Sequence, residues 1–296
     1  MRTLLWKACI AKGESRLNRR PAVWILSALI FACVGAAPAS ASAIRSLGGF
    51  NANTLAANDD GSTLQIPLPF SLNFFGATFN SLHVNNNGNV TFDNSLSTYT
   101  PFDLNATNRQ IIAPFFADVD TRNASSGRVH YGTDTVDGHP AFGVEWPAVG
   151  YYFIAADKLN TFELALINRA DTGNPDNFDI EFNYGQMQWD TGAASGGSGG
   201  LCTATSGDPA RVGYANGTGL PGTHFELPGS AVCGAFLDGG VDALVSNSLN
   251  SNVLGRYVFE SRNGEISTVP EPATLSLFAV GLAGLLGAAR RRFGRA

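Results

Sequence analysis

In Phe178-Asp179-Ile180-Glu181-Phe182-Asn183-Tyr184 apolar and polar side chains alternate without a break. That is the period of a strand with one buried face. Upstream, Thr161-Phe162-Glu163-Leu164-Ala165-Leu166-Ile167 repeats it, with Phe162, Leu164 and Leu166 on one side. Asp171-Thr172-Gly173-Asn174-Pro175 between the two runs has turn composition, so they read as neighbouring strands. Further upstream, Leu82 and Val84 precede Asn85-Asn86-Asn87-Gly88-Asn89, and Val90 and Phe92 follow it. This is an Asn-Gly hairpin pattern, with positive φ expected at Asn87 and Gly88. No long helical period occurs between Ile44 and Thr268. The expected fold is all-β, with sandwich-like antiparallel sheets and long loops, flanked by an N-terminal signal helix and a C-terminal transmembrane helix.

The flanks differ sharply from the middle. Residues 1–43 hold Arg2, Lys7, Lys12, Arg16, Arg19 and Arg20 against Glu14, then an apolar run from Ala22 to Gly35 and the small residues Ala39-Ser40-Ala41-Ser42-Ala43. This reads as a secretory signal peptide cleaved after Ala41 or Ala43. Residues 273–289 carry no charge and as a helix would just span a membrane, with Arg290, Arg291 and Arg292 keeping that end in the cytoplasm. The part between, residues 44–268, is therefore expected outside the cell.

Charge excludes some function classes. Of 19 basic and 24 acidic residues, the two flanks hold ten and two, leaving 9 against 22 and a formal charge of −13 in the middle. Nucleic acid is excluded as a partner, since phosphate backbones require a basic surface. The middle's one lysine, Lys158, is followed by Leu159, so no phosphate-binding Gly-Lys-Ser/Thr loop exists there. Cys9 and Cys33 leave with the leader, and Cys202 and Cys233 remain as one pair in an oxidising compartment.

Val269-Pro270-Glu271-Pro272, followed by the apolar stretch and then Arg290-Arg291-Arg292, resembles the PEP-CTERM sorting signal of Gram-negative bacteria. The resemblance implies that an exosortase-type membrane enzyme cleaves near Pro270, Glu271 and Pro272. The helix anchors the chain in the membrane before processing, and the product goes to the cell surface or extracellular matrix.

Leu82-His83-Val84-Asn85-Asn86-Asn87-Gly88-Asn89-Val90-Thr91-Phe92, Ile112-Ala113-Pro114-Phe115-Phe116-Ala117-Asp118-Val119-Asp120, Gln188-Trp189-Asp190-Thr191-Gly192 and Gly255-Arg256-Tyr257-Val258-Phe259 stand between Phe74 and Phe259 with the two strand runs above. Together these strings resemble the NIDO (nidogen-like) domain. The family often has tryptophan where Phe116 stands. The resemblance implies an extracellular module of cell-matrix adhesion with no enzymatic activity.

Candidate sites are few. Asp118 and Asp120 stand two apart, so in a strand both carboxylates face one side, an oxygen donor set suited to calcium. The competing reading pairs one with Arg122 and lets the other cap a turn. Asp179 and Glu181, with Glu145 and an aromatic floor at Trp189, are the pair a glycan hydrolase would use; otherwise they are solvated acids on a strand face. Gly196-Gly197-Ser198-Gly199-Gly200, with Asp208 and His224 downstream, matches a hydrolase elbow in letters but lacks the strand before and the helix after. His83, His130 and His139 lack ligand spacing. Trp146, Trp189, Tyr151 and Tyr152, if exposed, would be the contacts to a matrix glycan or protein. The expected function is a non-catalytic surface module of adhesion or exopolysaccharide cohesion, with a surface glycan hydrolase as the alternative.

Overall fold

A computed structural model describes residues 42–203 and 205–267. The leader up to Ala41 and the tail from Thr268, with its predicted membrane helix at 273–289, lie outside the described residues. Among the described residues no helix is long and apolar enough to cross a membrane.

Two antiparallel sheets form a sandwich. Sheet one takes the order β1 (Asn53–Thr54), β7 (His130–Val136), β8 (His139–Tyr151), β9 (Ala155–Asn168), β10 (Phe178–Gln186), β13 (Arg256–Arg262) and β14 (Glu265–Ser267), with β6 (Val119–Asp120) paired to β8. Sheet two runs β12 (His224–Glu226), β11 (Arg211–Asn216), β5 (Gln110–Phe116), β4 (Asn89–Thr91), β3 (Ala77–Asn85), β2 (Ile66–Phe74). The strand pair read from alternation is β9 and β10, in register from Phe178 opposite Asn168 to Tyr184 opposite Phe162.

Both sheets supply one core. Phe162, Leu164 and Leu166 of β9 and Ile180 and Phe182 of β10 join Val84, Val90, Ile112 and Tyr214 of sheet two. Phe115 meets the Phe162 ring at 5.4 Å, and Tyr214 meets Phe259 at 5.5 Å. Burial of this apolar surface is the main favourable term in folding.

The other face of sheet one is covered as well. Phe50, in the 3₁₀ turn Gly48–Asn51, packs with Val136, Ala141, Ala165 and Ile167. A Cβ at residue 143 would lie 2.2 Å from the Phe50 ring, so glycine is needed there for this segment to dock. The same segment brings Ala43, itself buried, to Arg256, whose Nη2 donates to the Ala43 carbonyl at 2.8 Å.

The asparagine hairpin differs from its expected form. Asn85 pairs with Asn89 across a three-residue loop, and only Gly88 takes positive φ, at 72°. A two-residue type I′ turn needs two left-handed residues, whereas a three-residue loop needs one. These asparagines are not a polar surface turn: Asn85, Asn86, Asn87 and Asn89 are all buried. Each is satisfied inside, Asn86 Nδ2 by the Asp59 and Val119 carbonyls at 2.6 Å and Asn87 Oδ1 by the Val119 N–H at 2.9 Å.

Cys202 and Cys233 are joined in a disulfide. Asp190 holds both ends, accepting from the Cys202 N–H at 3.0 Å and the Gly234 N–H at 2.7 Å. A closed loop of this length stabilises a fold by about 3 to 4 kcal/mol on the chain-entropy argument.

Candidate functional site

Three segments converge beside the asparagine hairpin: the turn Asn58-Asp59-Asp60-Gly61 before β2, the loop Asn86-Asn87-Gly88, and Asp118 at the entry to β6. Asn58 Oδ1 accepts from the Gly61 N–H at 2.6 Å, which closes the first turn and presents Asp59 and Asp60 together. One carboxylate oxygen from each of Asp59, Asp60 and Asp118 lies within 4.8 Å of the others.

Each acid has a different surrounding. Asp118 is 1% exposed, and its Oδ2 has no hydrogen-bond partner among the described residues. Burial, followed by the charges of Asp59 and Asp60, pushes its carboxyl up to about 7. Asp59 is half-buried and pushed up to about 6, again by burial first and then by Asp120 and Asp60. Its Oδ2 meets Arg122 Nη2 at 3.0 Å while its Oδ1 is buried without a hydrogen bond. Asp60 Oδ1 accepts from Asn87 Nδ2 at 2.8 Å.

Asp120, the second acid of the predicted pair, is committed elsewhere. Its carboxylate accepts from Arg122 Nε at 2.9 Å, Arg122 Nη2 at 2.6 Å, the Arg122 N–H at 3.0 Å and the Ile154 N–H at 2.8 Å. Burial works against its ionisation, but these bonds outweigh burial and hold its pKa below the ordinary carboxylate value. The structure therefore groups Asp118 with Asp59 and Asp60, two acids that sequence reading did not single out. The one local signal was the Asn-Asp-Asp-Gly turn itself.

A second acidic set lies on the outer face of sheet one. Asp179 and Glu181 are buried, at 6% and 3% exposure, so the expectation of solvated strand-face acids fails. Guanidinium groups cover them. Arg45 Nε and Nη2 donate to Glu181 at 2.6 and 2.7 Å, Arg256 Nε lies 3.2 Å from it, and Arg169 and Arg262 each reach Asp179 at 2.7 Å. They line an open cleft of about 470 Å³ with no phenylalanine, tyrosine or tryptophan among its lining residues. Glycoside hydrolysis needs one carboxyl free to give a proton and another free to attack or to activate water. Here both face guanidinium groups.

Across the same face runs a polar row. Glu145 stands opposite Glu163, Glu163 opposite Asn183, and Asn183 opposite Arg256 in register. Asn183 Nδ2 donates to Glu163 at 2.7 Å, and Arg256 Nε donates to Asn183 Oδ1 at 3.0 Å. Burial pushes Glu163 up to about 8; the Asn183 bond opposes this, and Glu145 and Glu181 add to it. Burial raises Glu145 as well. The folded chain therefore holds a proton on Glu163 that the unfolded chain releases near 4.5. A group of raised folded pKa makes stability fall as pH rises between those two values, by up to about 1.4 kcal/mol per pH unit for one proton. Glu163→Gln keeps the acceptor for Asn183 and removes the titration. Thermal unfolding from pH 5 to 8.5 is expected to show a clearly flatter profile for Glu163→Gln than for the wild type. Parallel profiles would show that Glu163 is ionised in the fold.

The proposed aromatic contacts are corrected. Trp146 and Trp189 are fully buried and Tyr151 is 4% exposed. Trp146 stacks on Phe162 at 4.9 Å and its Nε1 donates to the Asn86 carbonyl; Trp189 Nε1 donates to the Val149 carbonyl. Sequence marks them as large amphipathic side chains, and the core supplied both the apolar bed and the polar partner. Of the four, Tyr152 alone retains appreciable exposure, as a half-buried ring.

Comparison with known proteins agrees with the two resemblances. Residues 80–263 match the model of the nidogen-like domain, NIDO, and residues 268–292 match the PEP-CTERM protein-sorting motif. Alpha-tectorin of Mus musculus is 32% identical over 70% of this chain and 10% of its own length. Alpha-tectorin of Gallus gallus is 31% identical over 74% and 10%, and nidogen of Drosophila melanogaster 28% identical over 46% and 12%. The chain thus spans about a tenth of the length of these curated relatives. No solved structure matches. With the family model covering more than half of its residues, on an all-β scaffold, the chain belongs to the nidogen-like (NIDO) domain family and carries a PEP-CTERM sorting motif.

Proposed function

We propose that the chain is an exported, non-catalytic surface module that contributes adhesion or cohesion within an extracellular polysaccharide matrix after an exosortase-type enzyme has processed its tail. The observation that carries this is the joining of a nidogen-like domain, residues 80–263, directly to a sorting motif, residues 268–292, on one chain. The motif implies export and processing, and the domain implies an extracellular setting, so the two point to the same side of the membrane. The Cys202–Cys233 disulfide suits that compartment. The lack of a free carboxylate pair in the outer-face cleft supports a binding role over a hydrolytic one. Partners on this reading are a matrix glycan or protein.

The test is intact mass and cell fractionation of the protein from its native host, beside a strain lacking the exosortase. The expected product lacks both ends and is found outside the cell only when the exosortase is present. A full C-terminus retained in the membrane of both strains would refute processing and leave the matrix role without support.

A further inference from the structure

We propose that Asp59, Asp60 and Asp118 form a binding site for one divalent cation, calcium by the chemistry of the donors, which ties the turn before β2 to the entry of β6. The geometry fits such an ion. Oxygens that share a calcium at its usual bond lengths lie no more than about 5 Å apart. One oxygen from each of these three carboxylates meets that limit, all lying within 4.8 Å. An all-oxygen, all-carboxylate set suits a hard cation and none of the metals that prefer nitrogen or sulfur.

The buried member of the cluster supplies a second observation, independent of the count of acids. The side chain of Asp118 is 1% exposed, with an oxygen that meets neither a donor among the described residues nor solvent. Buried carboxylate oxygens are almost always satisfied, because leaving one bare costs its hydration without return. Asp59 repeats the pattern, with Oδ2 on Arg122 and Oδ1 buried and bare. Arg122 does not answer for the whole set: Asp120 takes its Nε and shares its Nη2 with Asp59, and no ion pair joins it to Asp60 or Asp118 among the described residues. Asp120 is excluded as a ligand because both its oxygens already accept two bonds. Asp59 and Asp60 are half-buried, so an ion reaches the site from their side and water completes its shell.

The surroundings are built to hold the three acids in place. Asn87 donates to Asp60 with Nδ2 and accepts from the Val119 N–H with Oδ1, bridging the two halves of the site. Asn86 donates to the carbonyls of Asp59 and Val119. The buried asparagines are thus the frame of the site, and the aspartates its donors.

The experiment uses the protein recovered in the form its host produces, stripped with chelator and then titrated with calcium chloride alone or magnesium chloride alone. A ligand that binds only the folded state raises the melting temperature, by about 5 to 10 °C at a free concentration one hundred times its Kd for a domain of this size. The expected result is such a rise with calcium, a smaller one with magnesium, and loss of the calcium shift in Asp60→Asn but not in Glu265→Gln, an exposed acid on edge strand β14. Equilibrium dialysis of the wild type is expected to give one calcium per chain, and it keeps the test available if Asp60→Asn fails to fold. An unchanged melting temperature, equal shifts in the two variants, or a stoichiometry of zero or several would overturn the site.

Discussion

Gly88→Ala is expected to lose about 4 kcal/mol or more of stability, a large share of the about 5 to 15 kcal/mol by which domains of this kind are stable. Two costs combine. Residue 88 has φ of 72°, where a Cβ is strained by about 1 to 2 kcal/mol. That Cβ would also lie 1.7 Å from the Phe115 carbonyl oxygen, a backbone atom that no rotamer change can move aside. β5 would have to withdraw from the hairpin, breaking the bond from the Phe115 N–H to the Gly88 carbonyl at 3.2 Å and loosening that from Ala117 to Asn87. Gly76→Ala is the matched control: φ is 86° and nothing lies near its Cβ, so only the strain applies. Chemical denaturation of both variants should separate them by at least 2 kcal/mol or so. Equal losses would show that the close approach to Phe115 is relieved without cost.

Trp146→Ala is expected to cost at least as much. Truncating a buried tryptophan removes about 3 to 5 kcal/mol, and the Asn86 carbonyl left without the indole N–H adds about 1 to 3 kcal/mol. The ring stacks on Phe162 with planes 12° apart and is fully buried, so it has little room to be replaced by solvent. The measurement also decides between two roles. A surface ring that binds glycan would lose affinity and keep its melting temperature, whereas Trp146 is expected to lose the melting transition first.

The strand pair β9 and β10 could be read from sequence because its signal is local: period two over seven residues and a turn between. Residues such as Asp179 and Glu181 could not, since the same alternation describes a face open to water or one covered by another segment. Here Glu181 is covered by Arg45, 136 residues before it, and Asp179 by Arg169 and Arg262. The tryptophans failed for a related reason: a large ring with one polar atom suits a surface anchor and a satisfied core position equally well. The asparagine hairpin was located from its spacing, but its loop type and its environment were not legible there. Its polar side chains are buried because backbone groups of the turn at 58–61 and of Val119 complete them, and no spacing rule reports partners that far along the chain. Asp118 was visible as an acid beside another, but its companions Asp59 and Asp60 came from nearly sixty residues away.

The docking of Ala43 makes the two predicted leader-cleavage sites unequal products. Cleavage after Ala41 leaves the buried Ala43 and its carbonyl in place to accept from Arg256. Cleavage after Ala43 would remove that acceptor and put a new α-ammonium, on Ile44, beside the same guanidinium. Two cations would then compete for Glu181, which Arg45 already holds at 2.6 Å. If the leader is removed as the sequence predicts, the choice of one peptide bond would set the charge balance around Arg256 on β13, and the shorter product would carry a repulsion that the longer one lacks.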